Sequence, residues 1–233
     1  MKKNLCFILA ALLAWGGFAT RAGAQNDGWY LTPKLGASLF TGDNHFDSRI
    51  GSFSKKGHST RFAGALAAGY DFSDRGAPVR TELEFTLRSP YRTESYGEIN
   101  GDPAKNKSQV DIHTLMFNAF LDFETETALT PYIGAGLGMA FIKGENTAFY
   151  TGPGGKTSRT VSHSDKKFAW DLTAGGVWGL TDNLALDLGY RYFHFGDITT
   201  GQYRVAGPGG GTAQAYSSRT ALHEVMLGLR FSH

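Results

Sequence analysis

Hydrophobic and polar residues alternate with a period of two along most of the chain after residue 25. In the clearest stretch, VRTELEFTLR (79–88), the apolar residues Leu83, Phe85 and Leu87 occupy odd positions, whereas charged residues fill four of the even ones. Successive side chains of a β-strand point to opposite faces. The pattern therefore predicts a strand with one apolar face and one charged face.

Eight segments of this kind can be counted, at about 29–40, 59–72, 79–88, 115–123, 132–141, 168–178, 184–192 and 224–231. Their lengths suit tilted strands that cross a bilayer. Short connections (73–78, 124–130 and 181–183) alternate with long ones (about 41–58, 89–109, 143–166 and 196–219). This arrangement is typical of outer-membrane barrels. We predict an all-β fold, an eight-stranded antiparallel up-and-down transmembrane β-barrel at residues 25–233, whose long connections are four extracellular loops.

A soluble ligand-binding barrel would show the same alternation with its apolar face inside. The positions of the aromatic residues favour the membrane. One set lies on the apolar faces at the short-turn ends of the strands: Trp29, Phe72, Phe123, Trp178 and Phe231. A second set lies at the opposite ends: Phe62, Phe141, Trp170 and Tyr192. Two aromatic girdles around an aliphatic band indicate two membrane interfaces.

The polar faces predict a filled interior. Six basic residues (Lys34, Arg61, Arg80, Arg88, Arg191 and Arg230) would share it with six acidic ones (Glu82, Glu84, Asp122, Asp171, Asp187 and Glu224), beside glycines that leave room for long side chains. Eight strands enclose only enough space for their own side chains, and buried charges must be paired. We expect a plugged lumen held by a salt-bridge network whose core is Arg80, Glu82, Glu84, Arg88, Asp187, Arg191, Glu224 and Arg230.

The N-terminus has the features of a secretory signal peptide at residues 1–24. Lys2 and Lys3 precede the apolar run 5–18, and the small residues Ala22 and Ala24 suit cleavage after Ala24. Cys6, the chain's one cysteine, lies in this segment, so no disulfide is expected in the mature protein. Cleavage would remove three of the 23 basic residues and leave 20 against 21 acidic ones. This balance gives no reason to expect nucleic-acid binding.

The chain carries weak matches to two kinds of catalytic or binding motif. The loop GPGGKT (152–157) resembles a phosphate-binding loop, but Tyr150 stands where that motif requires glycine. His194 and Asp197 could belong to the serine-histidine-acid site of a lipid A deacylase, but Phe195 occupies the place of the serine. The remaining histidines lack metal-ligand spacing. We therefore expect a protein that is not an enzyme, with no catalytic, cofactor or metal site.

Several segments resemble one known family. They are FNAFLDF (117–123), TPYIGAGLGMA (130–140), FAWDLTAGGVWGLTDNLALDLGYRY (168–192) and VMLGLRF (225–231). They are similar to the bacterial outer-membrane β-barrels of the opacity-protein and small surface-antigen type, which are OmpA-like eight-stranded barrels. The resemblance implies the outer membrane of a Gram-negative bacterium, surrounded by lipid and lipopolysaccharide, and recognition of the last strand by the barrel-assembly machinery. Ser232 and His233 depart from the family's usual terminal aromatic residue.

For function, the long loops are the expected site of recognition. Aromatic residues suited to protein or glycan contact lie there: Tyr91, Tyr96, Phe149, Tyr150, Tyr203 and Tyr216. We expect adhesion, with a host molecule or surface ligand as the partner. The alternatives are a narrow porin-like channel for small solutes, a purely structural envelope protein and, less favoured, a lipid A-modifying enzyme.

Overall fold

The computed structural model describes residues 28–48, 51–99, 102–123, 125–152, 155–199, 203–205, 211–213 and 217–232. The predicted signal peptide lies outside these residues. Within them, no helix is long and apolar enough to cross a membrane.

Eleven β-strands account for most of the described residues. They are β1 (Trp29–Ser48), β2 (Gly51–Asp71), β3 (Val79–Arg88), β4 (Tyr91–Ile99), β5 (Asp102–Asp122), β6 (Leu129–Gly152), β7 (Gly155–Thr181), β8 (Leu184–Thr199), β9 (Tyr203–Val205), β10 (Gly211–Ala213) and β11 (Ser217–Ser232). A short 3-10 helix (Ser73–Arg75) connects β2 to β3.

The strands form a closed antiparallel barrel. Each wall strand pairs with its neighbour in the chain, β1 pairs with β11, and β3 pairs with β5. Because β3 and β4 both pair with β5, they are two pieces of one wall strand, and the wall has eight strands. The small strands β9 and β10 form a separate hairpin. The predicted fold class is confirmed.

The two faces of the wall agree with the alternation. In β3 the outward side chains of Leu83, Phe85 and Leu87 are about half exposed, whereas Glu82 and Glu84 are buried. A broad set of apolar and aromatic residues covers the outside of the other strands in the same way. This apolar outer surface suits contact with lipid.

The strands extend further than the alternating pattern does. Pairing of β1 with β2 continues to Ser48 opposite Gly51, and pairing of β6 with β7 continues to Gly152 opposite Gly155. Much of the segments 41–58 and 143–166, expected to be loops, is therefore hairpin. Backbone hydrogen bonds hold these extensions without an apolar face, so period-two hydrophobicity does not mark them.

The third wall strand is interrupted at Ser89 and Pro90. Thr86 lies opposite Thr114 and Tyr91 lies opposite Val110, so five steps along β3 and β4 match four steps along β5. This extra residue is a β-bulge, and proline suits it because proline lacks a backbone donor. A shift of one residue exchanges the two faces of a strand. After the bulge, odd-numbered residues therefore face inward.

Candidate functional site

The centre of the barrel interior is organised around Glu84. Its carboxylate accepts hydrogen bonds from Lys34 Nζ at 2.8 Å and from Arg191 Nη1 and Nη2 at 2.6 and 2.9 Å. These residues come from β1, β3 and β8, and β3 and β8 are not neighbours in the wall. Arg191 therefore reaches across the lumen. A bidentate arginine–carboxylate pair of this kind combines charge with fixed geometry.

Arg80 occupies the interior near the short-turn end. Its Nε donates to Asp122 Oδ2 at 2.9 Å, and its Nη1 donates to Glu82 Oε1 at 3.0 Å. The guanidinium also lies 4.2 Å from the centre of the Phe120 ring and 4.3 Å from that of Tyr132. Paired carboxylates and cation–π contacts together compensate for the burial of this charge.

Asp187 links the same region to β11. Tyr132 donates a hydrogen bond to Asp187 Oδ1 at 2.7 Å, while Oδ2 lies 3.7 Å from Arg230 and 3.9 Å from Arg80. The Arg230 guanidinium in turn lies 4.7 Å from the centre of the Tyr30 ring. The short-turn end of the interior is thus a mixed layer of charges and aromatic rings.

A third layer lies towards the opposite end of the barrel, where the long hairpins begin. Arg88 forms two hydrogen bonds with Glu224, at 2.6 and 3.0 Å, and a third with Thr114 at 3.2 Å. Nearby, the Tyr91 hydroxyl donates to Ser38 Oγ at 2.8 Å. All five of these side chains are buried.

The structure thus places all eight interior residues named from the sequence inside the barrel, each in at least one ion pair. Lys34, Asp122 and Asp171 join them. Among the described residues, Arg61 forms no ion pair with the six acidic residues that were expected to share the interior with it. At the bulge, its guanidinium donates to the backbone carbonyl of Pro90 at 2.8 Å and to that of Thr60 at 3.1 Å.

An apolar cluster lies inside the barrel next to the Arg88 layer, and the alternating pattern of the sequence did not predict it. Its buried members are Tyr91, Ile112, Met116, Ala140, Ile142, Ala169, Phe193, Phe195 and Leu222. Phe193 packs beside the ion pairs, with its ring centre 5.2 Å from the Arg88 guanidinium. The sequence did contain one signal for this cluster: Phe193 and Phe195 are odd-numbered residues of β8, like Arg191, and therefore lie on the same inward face. We name this group the apolar cap.

Some inward glycines make room for aromatic rings, whereas Gly136 and Gly228 lie beside the charged side chains of Asp171 and Lys34. A Cβ at Gly134 would overlap the ring of Phe120, and a Cβ at Gly175 would lie 2.6 Å from the ring of Tyr132. The glycine-rich face of β6 and β7 is therefore a packing surface for rings from neighbouring strands.

A small cavity remains among the charges. Its volume is about 10 Å³, and it is lined by Lys34, Phe120, Tyr132, Thr173, Asp187, Gly189, Arg191 and Met226. This volume suits about one water molecule. The polar lining offers such a water several hydrogen-bond partners.

The aromatic residues predicted as contact sites have different positions. Tyr91 is not a surface residue: it is 6% exposed, because the bulge turns it inward. Phe149 is 38% exposed and lies 5.7 Å from Lys107 Nζ. The backbones of Tyr96, Tyr150 and Tyr203 lie in β4, β6 and β9, but their side chains and the whole of Tyr216 lie outside the part that is described.

The groups considered for chemistry are scattered in the fold. His194 lies on the outer wall, where its ring centre is 5.4 Å from that of Trp170. The neighbouring Phe195 points into the apolar cap. The Asp197 side chain is outside the described residues. Across the described ranges, no cluster of three or more His, Cys, Asp or Glu residues could hold a metal ion.

An apolar outer wall, aromatic girdles and a charged interior define an integral β-barrel protein of the outer membrane. The family comparison agrees. The chain belongs to the family described as outer membrane protein beta-barrel domain, which matches residues 9–231. It therefore resides in the outer membrane of a Gram-negative bacterium, surrounded by lipid.

Two relatives and one solved structure are informative. Outer membrane protein PagN of Salmonella typhimurium is 33% identical over 239 residues, which cover 97% of this chain and 96% of that protein. A Rickettsia bellii protein named as a candidate adhesin is 25% identical over 237 residues, which cover 99% of this chain and 99% of that protein. The crystal structure of OprG from Pseudomonas aeruginosa matches with a TM-score of 0.54 and 14% identity over 90% of this chain and 98% of that one, which supports the fold alone. The two relatives are named as an outer membrane protein and an adhesin, not as enzymes.

Proposed function

We propose that this protein is a non-enzymatic surface adhesin, in which a closed barrel displays extracellular hairpins to a ligand outside the cell. The observation that carries the proposal is the length of the paired hairpins. β6 and β7 remain paired from Leu129 opposite Trp178 to Gly152 opposite Gly155. This span exceeds the roughly 9–11 residues that a bilayer requires, so the far ends stand in the aqueous space. The Rickettsia relative's name supports the same function.

The described hairpin surface offers groups suited to recognition. On the ribbon formed by β4, β5 and β6, Lys105 and Lys107 lie 2.9 and 3.4 Å from Glu94, and Lys107 lies over the exposed ring of Phe149. Partly exposed aromatic and cationic groups on a rigid ribbon are suitable contacts for a protein or a glycan.

Replacing the tip of one hairpin tests this proposal. We would replace residues 148–159 of the β6–β7 hairpin with Asn-Gly, which favours a tight turn between the paired residues Thr147 and Thr160, and measure binding of expressing bacteria to host cells. A matched control replaces the periplasmic turn 125–128. Loss of binding in the first variant alone, with normal heat-dependent gel migration of both barrels, supports adhesion. If every hairpin replacement in turn leaves binding intact, the proposal is wrong.

The closed lumen is the second part of the proposal. Its support is the layered interior: Glu84 joins β1, β3 and β8 across the lumen, the apolar cap lies beside this layer, and the cavity has a volume of only about 10 Å³. Hydrated ions need a wider continuous path. Planar-bilayer recording should therefore detect no stable conductance. Reproducible openings whose amplitude increases in Arg80→Ala or Glu82→Ala would favour the channel.

We also propose that the assembly machinery recognises β11 through Phe231. This side chain is 43% exposed on the outer wall, and the following Ser232 is tied to Asn183 by hydrogen bonds of 3.0 and 3.2 Å. Phe231→Ala should reduce insertion, whereas removal of Ser232 and His233 should not. The opposite order would contradict this assignment.

A further inference from the structure

Five ring side chains form a contiguous cluster on the outside of the barrel. They are Trp170 on β7, Tyr190, Tyr192 and His194 on β8, and His223 on β11, and we name them the outer ring cluster. Ring centres are 5.7 Å apart for Trp170 and Tyr192, 5.4 Å for Trp170 and His194, and 5.4 Å for Tyr192 and His223. The Tyr190 hydroxyl lies 2.6 Å from His223 Nδ1.

The outer ring cluster lies at the extracellular end of the lipid-facing band. Leu188 and Leu227, adjacent on the same faces of β8 and β11, are about half exposed, and Tyr190 is 47% exposed. The cluster is therefore at the level where lipid headgroups meet the acyl chains.

The chemistry of the girdle differs around the barrel. On β2 and β6 the corresponding rings are Phe62 and Phe141, which have no polar atoms, and the single imidazole of His113 on β5 lies opposite Phe141. On β7, β8 and β11 the rings carry an indole N–H, two phenol hydroxyls and two imidazoles. A general need for aromatic residues at the interface does not require this concentration of polar ring atoms on one wall.

The Tyr190–His223 contact orients one of these polar atoms. When the Tyr190 hydroxyl donates to Nδ1, the neutral imidazole carries its proton on Nε2. That N–H is then available to an acceptor outside the wall. A donor at the edge of the hydrocarbon is costly to leave unpaired, so an oxygen-rich headgroup beside His223 is favoured.

We propose that the outer ring cluster binds the sugar headgroup of an outer-leaflet glycolipid. Flat ring faces pack against the C–H face of a pyranose, and His223 Nε2 donates to a sugar oxygen. The cluster has hydrogen-bonding groups but no fixed charge, which suits a sugar better than a phosphate. This site lies on the barrel wall and is separate from the hairpins assigned to adhesion.

Tryptophan fluorescence can test this site on the full chain. In a Trp29→Phe, Trp178→Phe background, Trp170 is the remaining tryptophan of the mature chain and reports directly on the cluster. The barrel is titrated in detergent with lipopolysaccharide lacking the O-antigen, with the deacylated sugar headgroup, and with a phospholipid. The test variants are His223→Phe, His223→Gln and Tyr190→Phe, and Phe62→Leu on the other wall is the matched control.

We expect the glycolipid to change Trp170 fluorescence with an affinity that falls about tenfold in His223→Phe, the effect of one lost hydrogen bond, and by a smaller factor in Tyr190→Phe, which removes only the contact that orients His223. His223→Gln should retain part of the affinity, and Phe62→Leu all of it. The deacylated headgroup should bind more weakly than the intact glycolipid and should lose affinity by the same factor in His223→Phe. That result supports a site for the sugar of the lipid. Equal responses to phospholipid, or equal losses in Phe62→Leu, would overturn the proposal. Heat-dependent gel migration identifies any variant that fails to fold, and the remaining variants then decide.

Discussion

Arg88 and Glu224 meet inside the barrel although 136 residues separate them in the chain, with Nε–Oε1 and Nη2–Oε2 distances of 2.6 and 3.0 Å. Their strands, β3 and β11, are not paired with each other. The contact therefore spans the lumen and joins the first half of the wall to its last strand. Such a bond forms only after the barrel has closed.

Breaking this pair should be costly. Arg88→Met leaves the Glu224 carboxylate buried, with Arg191 as its nearest remaining cation at 3.8 Å. We expect a loss of about 3–5 kcal/mol in the free energy of unfolding, measured by guanidinium unfolding in detergent. Arg88→Met with Glu224→Met should recover part of this loss, because neither charge then remains unpaired. As a control, Lys107→Met at the exposed pair with Glu94 should have little effect. If Arg88→Met is as stable as the wild-type protein, the pair does not have this role.

The apolar cap should act as a closure independent of the ion pairs. Phe193→Ala removes a fully buried ring, and we expect destabilisation by about 3–5 kcal/mol. The variant should still lack conductance in planar bilayers, since the layer around Glu84 remains. Conductance in Phe193→Ala alone would mean that the ion pairs do not seal the lumen.

The bulge should determine which face of β4 points inward. Deleting Ser89 and Pro90 together, so that the strand continues regularly from Arg88, would direct Tyr91 outward and Arg92 inward, whereas deleting Ser89 alone would keep Tyr91 opposite Val110 and facing inward. We expect faster proteolysis within 91–110 on intact cells, because the Tyr91–Ser38 hydrogen bond is lost and a charge enters the apolar cap. Tyr91→Phe, which removes only the hydrogen bond, should cost about 1 kcal/mol and leave the hairpin resistant. Equal protease resistance in the double-deletion variant would show that the residues between Arg88 and Tyr91 do not determine the register.

Glycine at position 134 should be required by the neighbouring ring. Gly134→Ala places a methyl group against Phe120, with an expected cost of about 1–3 kcal/mol. Phe120→Leu in the same chain should recover part of it by giving space. Gly64→Ala is the matched control, because a Cβ there would lie 3.7 Å from Leu35 in ordinary contact. Similar losses at both glycines would indicate a general effect of strand glycine instead.

The amino-acid sequence by itself determined the barrel, its lipid-facing side and the charged residues of its interior. These follow from period-two alternation, a local property that each strand shows independently of the others. The residues of β3 illustrate this: Glu84 and Leu83 are assigned to opposite faces by their positions alone.

Only the tertiary structure decided which charges meet, where the register shifts, and which apolar side chains converge near Arg88. Arg88 pairs with Glu224 because closure brings β3 and β11 to opposite sides of one narrow space. Tyr91 faces inward because one extra residue at Ser89 and Pro90 reverses the two faces, and alternation counted from β3 gives the wrong side. Phe193 and Phe195 form the apolar cap because side chains from several strands converge there. Each of these depends on contacts between residues far apart in the chain, which a local pattern does not contain.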